Sequence, residues 1–233
     1  MKKSIIIGKG EIGKSLYRVF VDAFYTVDIR DRETTDEARD YDIMHICFPY
    51  SDTFIENVKA YQEEYKPKYT VIHSTVPVGT SRECNAIHSP VIGVHPHLGK
   101  SLMTFVKYIA GEEASEVADY FRKAGMKVYL FNNPEETELM KILSTTYYAT
   151  MIEYVKEVKE LCDKNNVPFA DWTLWNDNYN KGYKELGYNE YTRPNLVPIM
   201  TAQGGHCTIP NTQLLDSKFT KLIRELDKEQ RKI

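Results

Sequence analysis

A short apolar run, residues 4–7, passes straight into Gly8-Lys9-Gly10-Glu11-Ile12-Gly13 and then into a helical pattern over residues 12–21. A G-x-G-x-x-G turn between a strand and a helix makes the chain reverse within a few residues, and each glycine answers a different need. Gly8 permits the tight turn, Gly10 lets the backbone approach a pyrophosphate, and Gly13 lets the helix pack closely on the strand. The helix then offers free N–H groups and the positive end of its dipole to a phosphate. The segment therefore predicts a dinucleotide site that includes Gly8, Gly10, Glu11, Ile12 and Gly13.

The first two-thirds of the chain continues the same alternation. Runs rich in Val, Ile, Phe and Tyr at 26–29, 42–48, 70–73, 91–94, 108–110 and 127–131 have strand length, and helical patterns occupy 53–65 and 113–124. Such alternation predicts β-α-β units with right-handed crossovers and an α/β fold of Rossmann type, a doubly wound, mostly parallel sheet. After Asn132-Asn133-Pro134 the character changes. Pro134, Glu135 and Glu136 suit a first helical turn, and apolar side chains from Leu139 to Leu161 keep helical spacing with no breaker before about Asn165. A helix of roughly 30 residues is about 45 Å long, more than one small domain needs. A loop over 192–211 and a charged helix over 218–232, with Phe219, Leu222, Ile223 and Leu226 turned inward, complete the reading. The expected division is a dinucleotide-binding domain, residues 1–133, followed by an α-helical substrate and dimerisation domain with one long helix, residues 134–233.

Charge and cysteine usage narrow the function. The chain has 30 basic and 33 acidic side chains, a formal net charge of -3. Without a basic field, no nucleic-acid partner is expected. No apolar run approaches the roughly 18 residues of a membrane span. Three isoleucines after Lys2-Lys3-Ser4 are too few for a signal-peptide core, so a cytoplasmic location is expected. Cys47, Cys84, Cys162 and Cys207 are widely spaced, with no C-x-x-C pair, so neither a zinc ribbon nor a disulfide framework is indicated.

The second strand of such a fold should end in an acid that holds the adenosine ribose. Asp28, Arg30 and Asp31 lie near the expected spacing, and alternation with Val27 and Ile29 selects Asp31. Arg30 and Arg32 flank it, and an arginine there can accept a 2′-phosphate. NAD is the expected cofactor, with NADP left open and Arg32 a candidate contact. Pro49, Ser74 and Thr75 follow the third and fourth apolar runs, on the side where ligands bind in an open α/β sheet.

Three separated motifs carry a family resemblance. Besides the glycine turn, the chain has Ser74-Thr75-Val76-Pro77-Val78-Gly79-Thr80 and Gly204-Gly205-His206-Cys207, the latter followed by Thr212-Gln213-Leu214. In this order they resemble the UDP-glucose/GDP-mannose dehydrogenase family, with its S-T-V-P-x-G-T and G-G-x-C-F-P-K-D-T segments. Thr137-Glu138-Leu139-Met140-Lys141 is similar to the family's A-E-L-x-K pattern, and Glu157 falls in a region like its N-E-x-x-x-L-C segment. The resemblance implies two successive NAD-dependent oxidations, from a primary alcohol to a carboxylate, on a sugar nucleotide. It implies Cys207 as the nucleophile of a thiohemiacetal and thioester, Lys141 as the group that stabilises charge on oxygen, and Thr75 as the residue that orients water.

The departures are specific. The family's asparagine one turn after the helix lysine is Thr145 here, its Pro-Glu is Pro96-His97, and its F-P-K-D is Thr208-Ile209-Pro210-Asn211. The family continues into a further nucleotide-binding domain, which this sequence, ending at Ile233, is expected to lack. Two other readings stand beside the first. His95 or His97 after a strand suits a general base in a one-step 2-hydroxy-acid dehydrogenase, and His-Pro there is similar to prephenate dehydrogenases. A catalytically inactive dinucleotide-binding protein fits the altered positions. No spacing supports a zinc site among His95, His97, His206 and Cys207. A long apolar stripe must be buried, which predicts a homodimer through the long helix.

Overall fold

The computed structural model describes residues 3–31, 40–203 and 207–230. The chain forms two compact units, Met1–Lys141 and Ile142–Ile233. The first holds β1 (Lys3–Ile7), α1 (Glu11–Asp22), β2 (Thr26–Arg30), β3 (Ile43–Ile46), α2 (Phe54–Tyr65), β4 (Tyr69–Ile72), α3 (Thr80–Glu83), β5 (Ile87–His88), α4 (Leu98–Thr104), β6 (Val106–Ala110), α5 (Ala114–Lys123) and β7 (Lys127–Phe131). These strands make one sheet in the order β2-β1-β3-β4-β5-β6-β7. All neighbours run parallel except β5 and β6, which meet antiparallel at His88 and Ala110.

Strand alternation divides the core into two layers. Ile6, Ile43, Val71 and Ile109 pack with Leu16, Val19 and Phe20 of α1 and with Val117 and Phe121 of α5. Ile5, Ile7, Met44, Ile46 and Ile72 pack with Phe54, Val58 and Tyr65 of α2. A strand apolar on both sides is stable only when helices cover both faces, which is why these runs read as continuous rather than alternating.

The run at 91–94 does not become a strand; the fifth strand is only Ile87–His88. Pro90 has no N–H to give a ladder. The carbonyls of Ser89 and Pro90 are taken by the Lys107 ammonium, and that of Val91 by Lys141 at 2.9 Å. Side chains have replaced the strand partner.

The long helix α6 (Pro134–Lys164) begins in the first unit and ends in the second. The second unit continues with α7 (Phe169–Glu185), a 3-10 turn at Asn189–Tyr191, α8 (Thr208–Thr212) and α9 (Lys218–Gln230). From residue 142 onward the buried residues of α6 are Ile142, Thr146, Ala149, Glu153, Val155 and Lys156, half of them polar. Leu143, Tyr147, Tyr154 and Leu161 are instead exposed. The α9 stripe also differs from its apolar reading: Ile223 is buried with Thr220 and Asp227, while Phe219 and Leu222 face outward. The polar members are buried because they are bonded. Asp227 accepts the Gln203 amide at 2.7 Å, and the Thr220 hydroxyl reaches the Leu215 carbonyl at 2.8 Å.

No helix among the described residues is long and apolar enough to cross a membrane.

Candidate functional site

The glycine turn lies where β1 hands over to α1. Gly8 has φ +111°, and a Cβ there would come within 3.0 Å of the Cys47 carbonyl carbon. A Cβ on Gly13 would stand 1.9 Å from the Gly8 carbonyl oxygen, so α1 can seat against the turn only without one. Gly10 differs: it caps α1 with extended geometry, and a Cβ on it would meet nothing within 4 Å. Two glycines are thus needed to build the turn, and the third leaves open space at the head of the helix.

Beside the turn is a cavity of about 360 Å³ lined by Ile7, Gly8, Asp31, Phe48, Thr53, Asn57 and Tyr61. It opens beyond the carboxyl ends of β1 and β2. Asp31, immediately after β2, is on its wall. Asp28 faces elsewhere and accepts the Tyr41 hydroxyl at 2.7 Å. Arg32 lies outside the described residues. Glu11 and Ile12 open α1, and the Glu11 carboxyl group pairs with His95. Pro49 follows Phe48 at the exposed end of β3, and the Ser74 hydroxyl donates to the Phe48 carbonyl at 2.5 Å, joining the β3 and β4 ends. A phosphate needs glycine-lined backbone at a helix head, and a ribose needs an acid at the next strand end; both are present, so the residues fit a dinucleotide.

The turn after β4 is anchored by α6. The Glu138 side chain, fully buried, accepts the Gly79 amide at 2.6 Å and the Ser81 amide at 2.7 Å. His88 spans Thr137 Oγ1 at 2.8 Å and the Ser74 carbonyl at 3.1 Å. Glu135 pairs with Arg82. With Lys141 on the Val91 carbonyl, these contacts set the register of the first α6 turns against the segment that carries Thr75. Thr75 is half-buried, His97 is exposed at the head of α4, and Cys207 is exposed at the head of α8.

In the second unit, the segment around Cys207 is held on α6 from both sides. Gln203 donates to the Ala149 carbonyl at 3.1 Å and to Glu153 at 2.5 Å. Asn211 donates to the Thr145 hydroxyl at 3.4 Å. Two of the residues that depart from the motif pattern, Thr145 and Asn211, therefore touch each other. Glu153 is ion-paired with buried Lys156 at 3.0 Å, and Gln230 contacts both, the arrangement a buried charge requires. Gly204, Gly205 and His206 lie outside the described residues.

One polar cluster gave no motif in the sequence. His45, His73 and Lys107 are buried on the face of the sheet that α5 covers, against Phe121. His73 Nδ1 is 2.8 Å from the Ser89 carbonyl and 3.1 Å from Lys107 Nζ, and its Nε2 is 3.0 Å from His45 Nδ1. Burial, reinforced by the nearby Lys107 charge, pushes His45 down to about 3. Burial does the same to His88, also to about 3, and holds His73 well below the usual histidine range. Burial pushes the Lys107 ammonium down to about 7. The only sequence signal was a charged or titratable residue inside an apolar strand, as in Ile43-Met44-His45-Ile46.

Among the described residues, no group of three or more His, Cys, Asp or Glu side chains is placed to hold a metal ion. The four cysteines are free thiols, with Cys47 and Cys84 buried and Cys162 half-buried.

No protein-family model matches the chain, and no curated protein matches it. Solved structures do. A UDP-D-ManNAc dehydrogenase from Pyrococcus horikoshii superposes with a TM-score of 0.78 at 16% identity, over 97% of this chain and 68% of that one. The fold is shared with UDP-sugar dehydrogenases. A UDP-glucose dehydrogenase from Pyrobaculum islandicum gives a TM-score of 0.74 at 14% identity, over 98% of this chain and 68% of that one. The 3-hydroxyisobutyrate dehydrogenase of Mycobacterium tuberculosis gives 0.73 at 13% identity, covering 98% and 93%. Dehydrogenases of sugar nucleotides and of hydroxy acids thus use one architecture with this chain.

Proposed function

We propose that the protein is an NAD(P)-dependent dehydrogenase of a polar alcohol or aldehyde, with a sugar nucleotide as the substrate class. The observation that carries this reading is the cavity bounded by Gly8 and Asp31. Residues 1–133 would bind the dinucleotide, through the glycine turn, Asp31, Arg32, Pro49, Ser74 and Thr75, and residues 134–233 would contribute to substrate binding and dimerisation. A dinucleotide bound there supplies a hydride acceptor.

The roles of the chain's own groups follow the motif resemblance. Cys207 takes an aldehyde as a thiohemiacetal and holds the acyl group as a thioester until water cleaves it. Lys141 stabilises negative charge on the substrate oxygen, and Thr75 orients the water. In the second reading, a one-step oxidation of a hydroxy acid with His97 or His95 as base, Cys207 has no part. The likeness to 3-hydroxyisobutyrate dehydrogenase favours keeping it.

Calorimetric titration with NAD and NADP, with and without UDP-glucose, tests the first step. Micromolar binding tightened by the sugar nucleotide supports the reading, and no binding of either cofactor removes it. NADH formed per substrate, two against one, then separates the two chemistries, and Cys207→Ser should abolish only the two-step reaction. Exposed Leu143, Tyr147, Tyr154 and Leu161 on α6 are the surface we assign to a homodimer; a monomer by light scattering would remove that part.

A further inference from the structure

Arg30 is the last residue of β2 and immediately precedes Asp31 on the cavity wall. An arginine at this strand end is the natural receiver of a 2′-phosphate. Here it is engaged elsewhere. Its Nη1 donates to Glu64 and to the Tyr65 hydroxyl, both on α2. Its guanidinium carbon lies 5.5 Å from the Tyr61 ring centroid and 5.4 Å from that of Tyr65. The side chain is 13% exposed, so the charge is largely withdrawn from solvent and matched by one carboxylate. Its Nε is buried without a hydrogen-bond partner, so the group is held through Nη1.

Tyr61 connects this pair to the cavity, because it lies beside Arg30 and also lines the wall with Asp31. A 2′-phosphate in that cavity would face the Asp31 carboxylate, while the adjacent guanidinium is already committed to Glu64. Arg–phosphate recognition depends on a free planar fork. Nη1, one arm of this fork, is already spent on a carboxylate and a hydroxyl, and Glu64 offsets the charge a phosphate would draw on, so a two-armed grip through Nη1 requires breaking those contacts.

We propose that the Arg30–Glu64 pair is a cofactor-specificity device: by locking the guanidinium against α2, Glu64 makes the site select a dinucleotide with a free ribose 2′-hydroxyl over its 2′-phosphorylated form. Glu64 acts through Arg30 and is a positioning residue. The inference rests on the dinucleotide reading of the cavity and adds the choice between the two cofactors.

The test is titration of the full chain with NAD and NADP, for the wild type, Glu64→Gln, Glu64→Asp and the double variant Arg30→Met/Glu64→Gln. The wild type should prefer NAD. Glu64→Gln removes the negative charge that offsets the guanidinium and should move the NADP-to-NAD affinity ratio toward NADP by about tenfold or more, the scale of one charge-assisted phosphate contact. Glu64→Asp keeps the carboxylate and should keep the wild-type ratio. The double variant should lose the gain, which separates Arg30 from Arg32. An unchanged ratio in Glu64→Gln, with NAD still bound, overturns the inference and leaves the dinucleotide reading standing; so does a wild type that prefers NADP. Failure of the wild type to bind either cofactor overturns both.

Discussion

Glu138, near the start of α6, accepts the backbone amide of Gly79 at 2.6 Å and so holds the turn that follows β4. The second carboxyl oxygen takes the Ser81 amide at 2.7 Å. Two donors from a tight turn are satisfied by one side chain with no exposure to water. Glu138→Ala leaves both amides without their partner, and a buried unsatisfied donor costs about 1–3 kcal/mol. We expect a loss of roughly 2–4 kcal/mol in urea unfolding, with Glu138→Gln in between because it keeps one acceptor. A loss under about 0.5 kcal/mol, the usual range for surface changes, would show that the contact does not hold the turn.

The glycines separate binding from folding. A methyl on Gly13 collides with backbone at 1.9 Å, so Gly13→Ala should destabilise the protein by about 2 kcal/mol or more. A methyl on Gly10 meets nothing within 4 Å and its φ is negative, so Gly10→Ala should fold within about 0.5 kcal/mol of wild type. If the head of α1 takes a pyrophosphate, the same variant should weaken NAD binding by about tenfold or more. Thermal melts and titrations of the two variants together check both statements.

Acid should unfold the protein steeply. His45 and His88 titrate near 3 in the fold against 6.5 when unfolded, and His73 is also depressed. Between about pH 3 and 6.5 the unfolded chain binds protons that the fold refuses, so stability falls as pH falls. Each histidine contributes a slope of up to about 1.4 kcal/mol per pH unit. Urea midpoints measured from pH 7 to 4 should fall faster in the wild type than in His45→Phe. Equal slopes would count against a neutral, buried His45.

Lys107 produces a second window. Its fold value is about 7 against 10.5 when unfolded. Above about pH 7 the unfolded chain holds a proton that the fold has lost, so stability should rise with pH by up to about 1.4 kcal/mol per unit. The rise ends near pH 9, where Cys47, raised by burial from 9.0 to about 12, begins to favour the unfolded thiolate. Lys107→Met should flatten the curve between pH 7 and 9. A wild-type curve already flat there would mean that Lys107 is solvated in the fold.

Much of this architecture was legible as pattern. Three isoleucines followed by spaced glycines specify a strand, a turn and a helix head, because backbone geometry at Gly8 and Gly13 admits no side chain. The unbroken spacing after Pro134 specifies a 31-residue helix, because period and breakers are local properties. Asp31 was selected by alternation along one strand, and it lies on the cavity wall.

What only the tertiary structure decided is which polar groups meet. Residues 91–94 have the composition of a strand, yet their neighbourhood is governed by Lys107 and Lys141, distant in sequence, which take the carbonyls of Ser89, Pro90 and Val91. The apolar stripe expected on α6 is partly exposed, and Glu153 and Lys156 are buried because Gln203 and Gln230 come to them from far along the chain. Arg30 looks like a phosphate receiver in the sequence and becomes the partner of Glu64 only when α2 packs on the sheet. Periodicity is read from neighbours along the chain, whereas hydrogen bonds and ion pairs depend on distances that no local pattern contains.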